Sequence, residues 1–130
     1  MRRSAWLLLV AVGIGSPRPA PATEPIERLL LEAATPEELR ANLLAHAAAL
    51  PDSARAEKGE AYNHAGLSYE RDGLADSAIA CYQRAFNLRG QPDERDALVD
   101  ALLLRNATGD PARALGLLRS PVVENEVSTL

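Results

Sequence analysis

The segment Gly73-Leu74-Ala75-Asp76-Ser77-Ala78-Ile79 returns 36 residues later as Gly109-Asp110-Pro111-Ala112-Arg113-Ala114-Leu115, and the same offset matches Tyr82 with Leu118. A chain that echoes itself at this interval is constrained to stack supersecondary units, because each unit leaves an apolar face that only a neighbour can cover. The unit is helical. Six segments carry apolar residues at helical spacing, separated by Pro, Gly or capping residues, and none alternates polar with apolar in the manner of a strand. The expected fold is all-α, an α-solenoid of about three antiparallel helical hairpins.

The first helix is expected near Pro25 to Ala34, with Ile26, Leu29, Leu30 and Ala33 on one face. Thr35-Pro36-Glu37-Glu38 opens the second: Thr35 caps, Pro36 takes the first helical position, and Glu38 completes a capping box. That helix runs to about Leu50 and stops before Pro51. A third, from about Ser53 to Asp72, ends at Gly73, whose freedom suits a left-handed C-terminal position. The fourth follows at once, from about Ala75 to Leu88, and so short a connection forces an antiparallel pair. The fifth, from about Asp93 to Ala107, is apolar around much of its circumference and should lie between neighbours. Gly109 stops it, Asp110 caps the sixth, and Pro111 enters at the first helical position of a helix ending near Arg119.

Tyr62, Gly66, Tyr69, Gly73, Ala78, Tyr82 and Ala85, followed by Phe86 and Leu88, fill the signature places of the tetratricopeptide repeat, so the segment 59–92 resembles that family's motif of about 34 residues. Gly90 stands where the motif's terminal proline is expected. The next unit, 93–120, keeps Gly109 and Ala114 but has Arg105 in place of the tyrosine and Leu102 in place of the glycine. The hairpin at 24–51 keeps the helix-turn-helix size, Leu39, Leu43 and the closing Pro51. Without the resemblance the spacing still makes sense: Gly66 and Ala78 are small where two helices cross, and the tyrosines supply bulk beside the crossing. Gly66→Arg should therefore unfold the central hairpin.

The resemblance implies a protein–protein interaction module whose concave groove, lined by the first helix of each hairpin, grips a peptide or protein. Carried onto this chain, the groove positions are Glu60, Asn63, Leu67, Glu70 and Arg71 in the central unit and Asp96, Val99, Leu103 and Asn106 in the next. This mixture suits a partner with apolar and basic or amide groups. It lacks the basic constellation by which some family members clamp an acidic C-terminus. If these are solvent-facing positions, Glu70→Lys should alter partner choice and leave the fold intact; the alternative is that some of them pack against a neighbouring helix.

The chain of 130 residues carries 14 Lys and Arg against 18 Asp and Glu, and Arg2, Arg3 and Arg18 fall in the first 22 residues, where there is no acid. Residues 23–130 are thus net-negative without a basic stripe, which argues against nucleic acid as partner. Met1 to Ser4 followed by the apolar run Ala5 to Gly15 reads as a secretory signal, and Ala20-Pro21-Ala22 supplies a small-x-small site with cleavage after Ala22. The run is too short to span a bilayer; an uncleaved anchor is the alternative. Residues 23–130 would then be periplasmic or secreted, with no stable membrane span, and 13 Arg to 1 Lys suggests a GC-rich bacterial source.

Residues that carry chemistry are sparse. Cys81 is the single cysteine, read as a buried inert thiol or, alternatively, an intermolecular disulfide. His46 and His64 lack the spacing of paired metal ligands, and the acidic pairs Glu57/Glu60, Glu70/Asp72 and Asp96/Asp100 read as solvated faces. No enzyme activity, metal or cofactor is expected. After Arg119 only Ser120 to Leu130 remains, with a tail at 121–130, too short and too rich in Pro and Val for a convincing polar capping helix, so a structural or assembly subunit that self-associates or docks through its C-terminal face is the second reading; an accessory domain of an envelope enzyme system is a third.

Overall fold

The computed structural model describes residues 25–120 and 122. The signal segment 1–22, its cleavage after Ala22 and all but Val122 of the tail lie outside the described residues. Among those described, the chain is all-helical: α1 Pro25–Glu32, α2 Pro36–Ala49, α3 Arg55–Arg71, α4 Ala75–Arg89, α5 Pro92–Arg105 and α6 Asp110–Leu118. Each helix packs chiefly on the next in sequence. Direction alternates, since Gly59 meets Arg89 and Gly66 meets Tyr82 across α3 and α4, while Arg40 meets Asp72 and His46 meets Glu57 across α2 and α3.

The helix ends follow from local chemistry. Thr35 Oγ1 accepts the Glu38 N–H at 3.0 Å, and Glu38 Oε1 reaches back to the Ala34 N–H at 3.1 Å, one residue before the capping Thr35. Gly73, at φ 76°, closes α3 as a Schellman turn in which Leu74 N–H donates to Tyr69 O at 2.9 Å and Gly73 N–H to Glu70 O at 3.0 Å. Gly90, at φ 63°, ends α4 where the repeat motif calls for proline. The end of α5 departs from the sequence expectation. Asn106, not Gly109, takes the left-handed cap, at φ 52° with its N–H on Leu102 O at 2.8 Å. Asparagine tolerates this conformation because its short amide bonds locally. Gly109, at φ 90°, instead turns the chain into α6.

Two apolar clusters make the core. One joins Ile26, Leu43, Ala47, Ala61, Ala65 and Cys81 from α1 to α4; the other joins Ala78, Ile79, Tyr82, Leu98, Val99, Ala101, Leu102 and Ala114 from α4 to α6. Tyr69 packs against both and ties them together. Ala85 is fully buried, and Tyr62 lies half-buried against the first cluster. The small residues work as the spacing suggests: a Cβ built on Gly66 would lie 2.7 Å from the Tyr82 ring, and one on Gly59 would collide with the Arg89 stem. Nothing lies within 4 Å of a Cβ at Gly116, in the middle of α6.

Gly66→Ala should therefore lose about 1–3 kcal/mol in urea unfolding, whereas Gly116→Ala should gain up to about 1 kcal/mol from helix propensity. Equal effects of the two substitutions would contradict the close approach of α3 and α4.

Candidate functional site

Of the nine groove positions read from the sequence, the structure leaves most at or near the surface. Leu67, Glu70, Arg71, Asp96, Leu103 and Asn106 are exposed, and Glu60 and Asn63 are half-buried. Val99 is a correction. It is buried in the second cluster with Ile79 and Leu102, because α5 turns this side toward α4 and α6, and no partner reaches it. Asn106 serves its backbone as the α5 cap, so its place there is explained without a ligand. Asn63 Oδ1 is buried with no hydrogen-bond partner.

Glu70 is also more than a surface charge. Its Oε1 accepts the Tyr82 hydroxyl at 2.5 Å, satisfying the one polar atom of a side chain that is otherwise fully enclosed. Burial, with this carboxylate beside it, pushes the Tyr82 phenol well above its ordinary value. Glu70→Lys would orphan that hydroxyl, so the expectation that it leaves the fold intact does not hold.

Several cationic side chains hold helices together. Arg40 Nη1 on α2 donates to Asp72 Oδ2 at 2.7 Å, Ser68 Oγ at 3.1 Å and Ser68 O at 3.3 Å, with its guanidinium 4.7 Å from the Tyr69 ring centroid. Lys58 Nζ on α3 donates to Ala47 O and Leu50 O, and Arg55 donates to Asn87 O and Leu88 O. In each case a cation from one helix meets carbonyls at the C-terminal end of a neighbour, where the backbone dipole is negative.

Arg105, standing where the repeat motif has tyrosine, makes a bidentate pair with Asp110: Nε to Oδ2 at 2.8 Å and Nη2 to Oδ1 at 2.7 Å. Its Nη1 reaches Asp76 Oδ1 at 2.8 Å. Asp110 does not cap α6 as its position in the sequence suggests: its carboxylate faces backward, accepting the Ala107 N–H at 2.8 Å. The Arg105 guanidinium holds the Asp110 carboxyl down at about 2. Glu94 is the opposite case. It is only 2% exposed, with Oε2 3.3 Å from Arg89 Nη1 and Oε1 unpartnered. Burial pushes its carboxyl up, and Arg89 offsets this only in part. Burial likewise raises the Cys81 thiol.

His46 Nε2 lies 2.8 Å from Glu57 Oε2, and His64 Nε2 lies 3.8 Å from Glu60 Oε2, one turn away on the same helix. Among the described residues no three His, Cys, Asp or Glu side chains gather as a metal site would require, and no helix is long and apolar enough to cross a membrane.

The apolar surface is patterned. Ile79 and Tyr82 are 4% and 0% exposed, yet Leu115 and Leu118, their counterparts 36 residues on, are each 49% exposed. The cause is position: α5 covers Ile79 and Tyr82, and among the described residues no helix follows α6 to do the same. Comparison with known proteins returns no matching family profile, no curated relative and no solved structure of similar fold.

Two pH responses of opposite sign follow. Asp110, with its carboxyl held low, stabilises the fold above the ordinary carboxylate range and loses that contribution as pH falls through about 2. Asp110→Asn should lower the melting temperature at pH 7, with the gap to wild type closing between about pH 4 and 2. Glu94, with its carboxyl raised, penalises the fold while charged. Glu94→Gln should raise the melting temperature at pH 7 and match wild type below about pH 4, as read by circular dichroism melts.

Proposed function

We propose that the chain is an exported, non-catalytic α-solenoid of the tetratricopeptide-repeat type that binds a protein or peptide partner along the face carried by α1, α3 and α5. The resemblance of the 59–92 segment to the repeat motif supports the class, and the sequential, alternating packing of the helices is consistent with it. The observation that carries the binding face is the distribution of exposed leucines. Leu31, Leu67 and Leu103 are exposed on the first helices of the three hairpins, whereas Leu43 and Ile79 on the second helices of the first two are buried in the core. Exposed apolar side chains grouped on one face mark interaction surfaces. Arg40 and Lys58 hold helix ends and Asp110 orders the α5–α6 turn, so these three groups supply no argument for catalysis. Export to the periplasm or beyond rests on the signal-like segment 1–22 alone.

A second reading is supported by Leu115 and Leu118, whose exposure leaves the α6 end open to self-association or docking. The two readings separate cleanly. A photo-crosslinking residue placed at Leu67 should capture one discrete protein partner in the cell envelope while the same residue at Leu118 captures none, and light scattering should give a constant monomer mass with dilution. Capture at Leu118, or a mass that grows with concentration and reverts in Leu118→Asp, would replace the groove with assembly through α6.

A further inference from the structure

A cavity of about 220 Å³ lies where the C-terminal ends of α3 and α5 meet the start of α4. Its floor is alanine: Ala75 and Ala78 from α4 and Ala101 from α5, of which Ala78 and Ala101 are only 1% and 5% exposed. Leu104, 77% exposed, makes one wall, and Gly73 lines another, with nothing within 4 Å of a Cβ built on it. The repeat accounts for the space. Leu39 stands 36 residues before Ala75 and packs its side chain against the first apolar cluster, whereas Ala75 ends at Cβ and fills far less of the equivalent place.

The charge at this cavity is negative. Glu70 on its wall accepts the Tyr82 hydroxyl at Oε1, and among the described residues neither of its oxygens meets a cation in an ion pair. Arg71, next in sequence, lines a different cavity beside Leu30 and Leu39. Arg105 is the cation among the lining residues, and its guanidinium is already met by Asp110 and Asp76. Glu70 is thus the carboxylate left over. The helix ends reinforce it: α3 and α5 bring their negative C-termini here, while the positive starts of α4 and α6 carry Asp76 and Asp110 in their first turns. An anion is repelled from such a place, and a neutral apolar molecule leaves the carboxylate unmatched. A cation with an apolar body satisfies both the carboxylate and the alanine floor. The volume is below that of a drug-sized pocket, so the body is small, about one ring or a short alkyl chain.

We propose that this crevice binds a small organic ammonium ion, its apolar body on Ala75, Ala101 and Leu104 and its N–H groups donating to Glu70. The site stands apart from the binding face proposed above, and its failure leaves that reading untouched. The test titrates the purified full-length chain with phenethylammonium, followed by backbone amide NMR, with neutral phenethyl alcohol and anionic hydrocinnamate as controls of similar size. The ammonium should bind saturably, one per chain, with a dissociation constant of about 1 mM or below, moving the amide signals of Gly73, Ala75 and Ala101 along one curve. Both controls should bind at least about fivefold more weakly, as should the ammonium to Glu70→Gln, whose amide oxygen still accepts the Tyr82 hydroxyl. Ala75→Leu, which writes in the side chain found 36 residues earlier, should abolish binding while circular dichroism shows the helices intact. Should Ala75→Leu fail to fold, Glu70→Gln and the two controls decide by themselves. Equal affinity for phenethyl alcohol, or an unchanged affinity in Glu70→Gln, overturns the ammonium site. Binding that survives in a folded Ala75→Leu, shifts confined to other residues, or no saturation up to about 10 mM overturns the crevice as the site.

Discussion

The close approach of α3 and α4 at Gly66 is the constraint on which the rest depends. With no side chain at Gly66, the Tyr82 ring packs close against α3, and a single added carbon would sit 2.7 Å from it. Tyr82 is thereby fully enclosed, and it becomes the floor of the cluster into which α5 inserts Leu98 and Leu102. Its hydroxyl has one outlet, Glu70, at the edge of the surface face. Core packing and surface chemistry are thus joined through one side chain. A change at Glu70 is felt in the core, and a change at Gly66 is felt on the face.

Around that crossing, cations do the work that a larger core would do elsewhere. Arg40, Lys58 and Arg55 each leave their own helix to meet the C-terminal carbonyls of the next or the previous one. A charged donor on these carbonyls matches the negative end of the helix dipole and makes a charge-assisted bond between helices. These bonds run between helices in the same short-range pattern as the apolar contacts. The described helices are therefore held by nearest-neighbour interactions at both levels, and the α6 leucines are exposed where, among the described residues, no further helix follows.

Much of this was legible in the chain. Prolines, glycines and the Thr35–Glu38 box fixed the helix boundaries to within a few residues because their effects are local. Gly66, Ala78 and Tyr82 declared the crossing through their size. Val99 was not legible: α5 is apolar on several sides, and only the placement of α4 and α6 decides which side is buried. Asp110 misled because a cap-like position says nothing about Arg105, five residues earlier, which turns the carboxylate backward. Glu94 looked like an ordinary first-turn acid, and no sequence signal marked its burial. The capping roles of Arg40 and Arg55 span 28 to 33 residues and exist only once the helices are stacked.

The leucine methyl groups report on both faces of the protein at once, which makes them the most direct probe of where a partner sits. In a methyl NMR titration with the partner captured by crosslinking at Leu67, Leu31, Leu67 and Leu103 should shift together along one binding curve while Leu115 and Leu118 stay in place. Shifts confined to Leu115 and Leu118 would contradict the account and put the working surface at the end of the stack.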